Sequence, residues 1–255
     1  MNELQLKLFE IAKFFHNICE RNDIPYYMLG GTMLGAIRHK GFIPWDDDMD
    51  FGVMKNDFPR LIKALQEGLP SYYKIRTIDN SKYISNSVIK IEDSRYEIVE
   101  IEKENADDCI GLNIDVFPLS RTNRSECLLS RNWIAKQLIR LNWCRYLNYK
   151  RRGWLKFYIA SVLKCFLKLL PQKTIPFIVE SVVIPHKGDC ITNYWDSEIV
   201  PENVMGSPVL YSFESERFFG VAEPHPYLQR LYGNYMEIPK RDQIHTHIVE
   251  FSKKK

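Results

Sequence analysis

Residues 30–53 read GGTMLGAIRHKGFIPWDDDMDFGV. The stretch opens on a Gly-Gly-Thr turn and closes with four acids in five positions, Asp46, Asp47, Asp48 and Asp50, at the head of an apolar strand. Crowding like charges costs energy unless a cation or an electropositive field is present. Asp48 and Asp50 alternate with Met49, so both carboxylates point to one face. Hard oxygen ligands at that spacing suit Mg2+ or Mn2+. Gly30 and Gly31 sit at a strand-to-helix junction, where backbone N–H groups approach a phosphate closely. Thr32 is expected to cap the short helix that follows. Asp46 and Asp47 are read as strengthening the negative field, because Asp48 and Asp50 already supply the alternating pair.

Outward from this stretch the pattern is α+β. Leu4, Leu8, Ile11, Phe15 and Ile18 fall at steps of four and three, which predicts an amphipathic helix over 3–21, stopped before Pro25. Strands are expected at 26–29, 49–54, 72–78, 87–91, 96–101 and 112–117, and a helix at 57–69. Two helices are expected at 125–149 and 154–170, then a hairpin near 208–222 and a short helix near 225–232. The fold class is thus a mixed-sheet core with a helical, basic lobe. The expected organisation is a catalytic core over 1–120, the lobe over 121–185, and a C-terminal segment over 186–255 packing on the core.

A third carboxylate is needed to hold two ions, and Asp115 in GLNIDVFPL interrupts an otherwise apolar strand. An acid there is costly unless paired or metal-bound. Metal ligation and an ion pair with a nearby arginine both remain open for it. Arg38 is a candidate second contact to a diphosphate, since a guanidinium grips phosphate bidentately. Lys40 is a candidate of the same kind. A plain surface charge is the alternative for both. Trp45 and Phe42 are read as packing residues.

The ordered set of Gly-Gly-Thr, an Asp-x-Asp strand and a later single Asp resembles the DNA polymerase β-like nucleotidyltransferase superfamily. More closely, GGTMLGAIRHKGFIPWDDDMDFG, GLNIDVFPL and PYLQRLYGNYMEIPKRDQIHTH resemble, in order, blocks of the LicD family, bacterial phosphocholine transferases related to fukutin. The last block departs from the family's PPEEKR-x-x-H pattern around His245 and His247. The resemblance implies a polymerase-β-like nucleotidyltransferase core, a divalent metal, and a CDP-alcohol donor such as CDP-choline. It also implies an acceptor hydroxyl on a sugar of a lipopolysaccharide, teichoic acid or capsule precursor. Carried over by position, Asp48, Asp50 and Asp115 would be the catalytic metal carboxylates, and Gly30, Gly31 and Thr32 would lie at the diphosphate.

The net charge of +3 hides an asymmetry. Between Arg121 and Lys173 there are thirteen Lys/Arg and one acid, Glu126, leaving the remainder of the chain at −9. That split points to an anionic partner for the middle segment. GWLKFYIASVLKCFLKLLP is interrupted by Lys156, Lys164 and Lys168, so a membrane span is not expected. An interfacial helix on anionic lipid and a helical lobe binding the donor or glycan both remain open. No RNP, KH or zinc-finger pattern is present, so nucleic acid is not expected as a partner. The first twenty residues lack the apolar run of an export signal, and the six cysteines lack CxxC spacing. A cytoplasmic protein, peripheral at the inner face of the plasma membrane, is the expectation. Three other functions stay in view: an NTP-dependent nucleotidyltransferase, a metal phosphodiesterase, and an inactive membrane-bound binding module.

Overall fold

The computed structural model describes residues 1–81, 84, 87–100, 111–123, 131–145, 153–183, 187–193, 198–240 and 246–254. Helix α1 (Glu3–Arg21) opens on a capping box. The Asn2 side chain accepts from the Gln5 amide while the Gln5 side chain accepts from the Asn2 amide, satisfying two N–H groups that a helix start leaves unpaired. Leu8, Ile11, Phe15 and Ile18 of its apolar face are buried. Then follow β1 (Tyr26–Met28), α2 (Gly30–Arg38), β2 (Asp50–Met54), α3 (Phe58–Gly68), β3 (Tyr73–Arg76), β4 (Ile89–Asp93), β5 (Tyr96–Glu100) and β6 (Leu112–Thr122). Helices α4 (Arg131–Trp143), α5 (Trp154–Leu167) and α6 (Thr174–Ile178) form the middle, with a π-helical turn over Val179–Val183. The chain ends with β7 (Cys190–Asn193), β8 (Glu198–Pro201), α7 (Glu202–Met205), β9 (Val209–Phe213), β10 (Glu216–Gly220), α8 (Pro224–Tyr232) and β11 (Ile248–Lys253).

The main sheet runs β1-β2-β6-β4-β3, with β7 and then β8 added at the far end of β6. Only β2 and β6 pair in parallel within it; the other neighbours are antiparallel. Every residue of β6 is buried except Asp115 and Arg121. Such an apolar run suits a central strand covered on both faces. Parallel pairing sets Asp50 opposite Asp115. Strand β11 pairs with β5, and β9 with β10 forms the expected hairpin.

One large hydrophobic core joins α1, the sheet, the hairpin and α8, with Phe15, Tyr26, Phe51 and Phe218 fully buried within it. A second, smaller core lies between α4, α5 and α6, built on Ala135, Ile139, Leu167, Ile175 and Val179. The mixed sheet and the helical lobe are therefore as expected. Four local readings differ. The first helix of the lobe is described only over Arg131–Trp143, the rest of 125–149 lying largely outside the described residues. The second stops at Leu167 rather than 170. The strand at 112 runs on to Thr122, past the end expected at 117. Strands β7, β8 and β11 were not anticipated.

A further correction concerns Thr32. It does not cap α2; the helix starts at Gly30, its N-cap is Leu29, and no side chain caps it. Thr32 lies buried inside the first turn, and its Oγ1 accepts the backbone N–H of Asp50 at 2.8 Å. The hydroxyl thus ties α2 to the first residue of β2. Thr32→Val keeps the shape but leaves the Asp50 amide without that acceptor, and should lower unfolding free energy by about 1–3 kcal/mol. Thr32→Ser should recover most of the loss in a denaturant titration. Gly35 gives a second test. A Cβ there would lie 2.5 Å from the Gly41 carbonyl oxygen, a backbone atom of the loop packed against α2. Gly35→Ala should therefore destabilise by about 1–3 kcal/mol through overpacking, although alanine is the better helix former. An unchanged denaturation midpoint would show that the loop moves away freely.

Candidate active site

The turn between β1 and α2 needs both of its glycines, for different reasons. Gly30 has φ of +48°, a region that side-chain-bearing residues rarely adopt. Its N–H donates to the Tyr227 hydroxyl at 3.0 Å, which fastens the turn to α8. A Cβ on Gly30 would meet the Tyr232 hydroxyl at 3.4 Å and an Asp50 carboxylate oxygen at 4.0 Å. A Cβ on Gly31 would lie 3.1 Å from an Asp46 carboxylate oxygen. The bare backbone of residues 30 and 31 is what lets Asp46, Asp50 and Tyr232 close around this turn.

The four acids of the cluster meet different surroundings. Asp47 is buried, and its Oδ2 accepts the backbone N–H groups of His247 and Ile248, both at 2.7 Å. Burial pushes its carboxyl up, but the His247 imidazole and these two amides together hold it below the usual range. Asp48 accepts from the His247 imidazole at 3.0 Å, and the same ring stands 3.5 Å from Asp47. Hydrogen bonds to Asp47 and Asp48 push the His247 imidazole up to about 11, although the side chain is 67% exposed and solvent screens part of the pull. Asp46 has no comparable partner. Burial, then the charges of Asp48 and Asp47, push its carboxyl up to about 7 against the attraction of His247 and Arg38. Asp50 begins β2, half-buried, beside the Gly30 turn.

Asp115 is joined to Lys90, its register partner on β4. The ammonium donates to the two carboxylate oxygens at 2.6 and 2.8 Å and to Asn113 at 2.9 Å. The ion-pair alternative raised for Asp115 is thus what this structure contains, with a lysine in place of the arginine. Asp50 and Asp115 are neighbours across the parallel strands. Asp48, Asp50 and Asp115 do not draw their ligand atoms into one tight group. Among the described residues that arrangement belongs to Asp47, Asp48 and His247, whose ligand atoms lie within 4.8 Å of one another.

The two cationic candidates are placed differently. Arg38 donates to the carbonyls of Tyr235 and Glu237, at 2.6 and 3.3 Å, so here it binds the C-terminal segment to the end of α2. Lys40 is exposed with φ of +58°, and its carbonyl accepts the Glu214 amide at 2.7 Å. His245 lies outside the described residues. Sequence reasoning assigned no role to Lys90, Tyr227 or Tyr232, and left His247 open. A signal existed for Lys90, a single base alternating with apolar residues in SVIKIE. Tyr227, Tyr232 and His247 all fall within the C-terminal block quoted above.

Comparison with known proteins bears on this arrangement directly. Residues 23–142 match the family model described as LicD/FKTN/FKRP, nucleotidyltransferase domain. Over 267 aligned positions, 98% of this chain and 97% of the relative, the chain is 27% identical to the lipopolysaccharide cholinephosphotransferase LicD of Haemophilus influenzae. A shorter stretch of 48 residues, 19% of this chain, is 40% identical to the human ribitol 5-phosphate transferase FKRP, covering 10% of that protein. Another of 64 residues, 24% of this chain, is 38% identical to the mouse ribitol-5-phosphate transferase FKTN, covering 14% of it. The glycine turn, the acid-headed β2 and the Asp115 strand all fall inside residues 23–142, the part of the chain that is similar to the nucleotidyltransferase domain of the LicD/FKTN/FKRP family.

Proposed function

We propose that this protein is a metal-dependent phosphotransferase. It moves phosphocholine, or a related phospho-alcohol, from a CDP-alcohol to a sugar hydroxyl of a cell-surface glycan or its lipid-linked precursor. The observation that carries the reading is the pairing of Asp50 with Asp115 across parallel strands beside the Gly30–Gly31 turn. End-to-end similarity to a lipopolysaccharide cholinephosphotransferase supports it. The shorter similarities to FKRP and FKTN make ribitol phosphate the second candidate for the transferred group.

In donor chemistry, though not in the spacing they hold here, the residues fit a divalent cation. The donor set is all carboxylate, which suits a hard ion. Mg2+ or Mn2+ would be held by Asp48, Asp50 and Asp115, and when bound would neutralise diphosphate charge and make the acceptor hydroxyl easier to deprotonate. The chain's own groups supply the rest, since phosphoryl transfer asks mainly for positioning and charge neutralisation. The backbone of Gly30 and Gly31 lets the diphosphate approach α2 without a side chain in the way. Thr32 fixes where β2 begins, and so where Asp50 stands. Lys90 holds the Asp115 carboxylate from one side, leaving other lone pairs to accept a proton. The acceptor oxygen attacks the phosphorus that bears the alcohol. The bond from that phosphorus to the oxygen bridging it to CMP breaks, CMP leaves with the electron pair, and the hydroxyl proton passes to Asp115.

The test is CMP release from CDP-choline with Mg2+ or Mn2+, run with and without a glycan acceptor. Acceptor-dependent CMP is expected, abolished by chelation and restored by Mn2+. Asp50→Asn should lower kcat by about 10²–10³-fold, the scale of losing one group aligned on developing charge. It should also weaken Mn2+ binding followed by electron paramagnetic resonance, with an unchanged circular dichroism spectrum. Near-normal turnover in Asp50→Asn would sink the assignment. Release from CDP-ribitol alone would keep the mechanism and move the substrate.

A further inference from the structure

Helix α5 turns a broad apolar face to solvent. Trp154 is 79% exposed, Tyr158 68% and Phe166 66%, and Leu155, Ile159 and Val162 are each more than half exposed. At about 100° per residue these six fall within an arc of roughly 140°. The opposite side carries Ala160, Leu163 and Leu167, turned inward; Leu163 and Leu167 join the small core with Ile175 and Val179. The exposed arc is therefore not the packing face of the helix. It is a second apolar face that nothing among the described residues covers, and contiguous exposed apolar surface of this kind marks an interaction site.

The charge around the face selects the partner. From residue 127 to residue 179 the chain has no Asp or Glu, while thirteen Lys/Arg lie between Arg121 and Lys173. The exposed Lys168 stands about 40° beyond one border of the apolar arc, and Lys164 about 80° beyond it, toward the packed side. A second copy of this face would bring cations against cations with no acid to balance them. A bilayer with anionic headgroups offers both an apolar layer and the opposite charge. At 14 residues α5 is about 21 Å long, short of the roughly 30 Å of a hydrocarbon core. No helix among the described residues is long and apolar enough to cross a membrane. Trp154 and Tyr158 are amphipathic rings suited to the headgroup level. We propose that α5 docks in the plane of an anionic membrane surface, with Trp154, Tyr158, Ile159, Val162 and Phe166 buried at the headgroup boundary and Lys168 beside them against lipid phosphates. The inference is independent of the reaction assigned above.

The test is co-sedimentation of the full chain with vesicles of phosphatidylcholine alone, or with about one-third phosphatidylglycerol to supply the anionic surface potential. Binding to the anionic vesicles should be at least about tenfold tighter and should weaken with salt. The solvent-facing double variant Ile159→Ser/Phe166→Ser should lose about tenfold or more. Lys168→Gln should lose about fivefold on anionic vesicles and nothing on neutral ones. Failure of the full chain to bind anionic vesicles would overturn the proposal, as would binding by the serine variant equal to that of the parent. Analytical ultracentrifugation distinguishes the other occupant. A dimer lost in the serine variant, with no vesicle binding by the parent, would assign the face to a second copy.

Discussion

Two carboxylates about 5 Å apart repel by roughly 3 kcal/mol at the effective dielectric of a protein surface, and this chain places four within five residues. Much of the surrounding structure is an answer to that repulsion. Asp47 is satisfied by two backbone amides brought from the far end of the sequence. Asp48 shares the imidazole that arrives with them. Asp46 lies against the bare backbone of Gly31 and holds its proton more tightly than a free carboxyl does. Asp50 takes its place at the start of β2 through its own backbone, which the Thr32 hydroxyl secures. The C-terminal strand β11 is thus a structural part of the acidic cluster, because Asp47 is the acceptor for its first amides.

The same constraint explains what the sequence disclosed and what it withheld. Helix α1, β1, β2, α3, the β9–β10 hairpin and α8 were legible because each carries its period or its turn within a few residues. Strands β7 and β8 are four residues each and owe their strand character to hydrogen bonds with β6 and with one another. Strand β11 pairs with β5, about 150 residues away. For Thr32 the local rule favoured a cap, but the buried amide of Asp50 claimed the hydroxyl, a tertiary demand that outweighs capping propensity. The site was legible as an alternation of acids after a glycine turn. His247 was not, since nothing near it in sequence announces that Asp47 will draw its backbone amide in.

Asp115 illustrates how a single acid in a central strand is accommodated. The rest of β6 up to Ser120 is buried, and an unpaired carboxylate there would be costly. Antiparallel pairing with β4 puts Lys90 directly opposite, and parallel pairing with β2 puts Asp50 on the other flank. The strand order therefore gives Asp115 one cationic and one anionic neighbour. That arrangement requires no residue to move: the ammonium steadies the carboxylate from one side, and the other side opens toward the acid cluster. Reversing the direction of either neighbouring strand would change the register and separate the three groups.

The lobe that carries α5 is fastened to the core by polar contacts with the connection between β3 and β4 and with Lys55, just after β2. Gln172 donates to the carbonyls of Ser81 and Ile84, Glu180 binds Lys55 and Ser87, and Lys173 pairs with Asp79. The lobe keeps its own small apolar centre, so its helices pack without drawing on the large core. Charge divides along the same line, strongly positive from Arg121 to Lys173 and −9 over the remainder. A molecule divided in this way behaves as a dipole near an anionic surface. Beyond a Debye length of about 8 Å at physiological ionic strength the field is screened, so the orientation is set at close range. On the docking proposed for α5, the positive segment would be drawn in and the acidic remainder repelled. The apolar face of α5 would then meet the surface, and the acid cluster ahead of β2 would find no attraction to anionic headgroups.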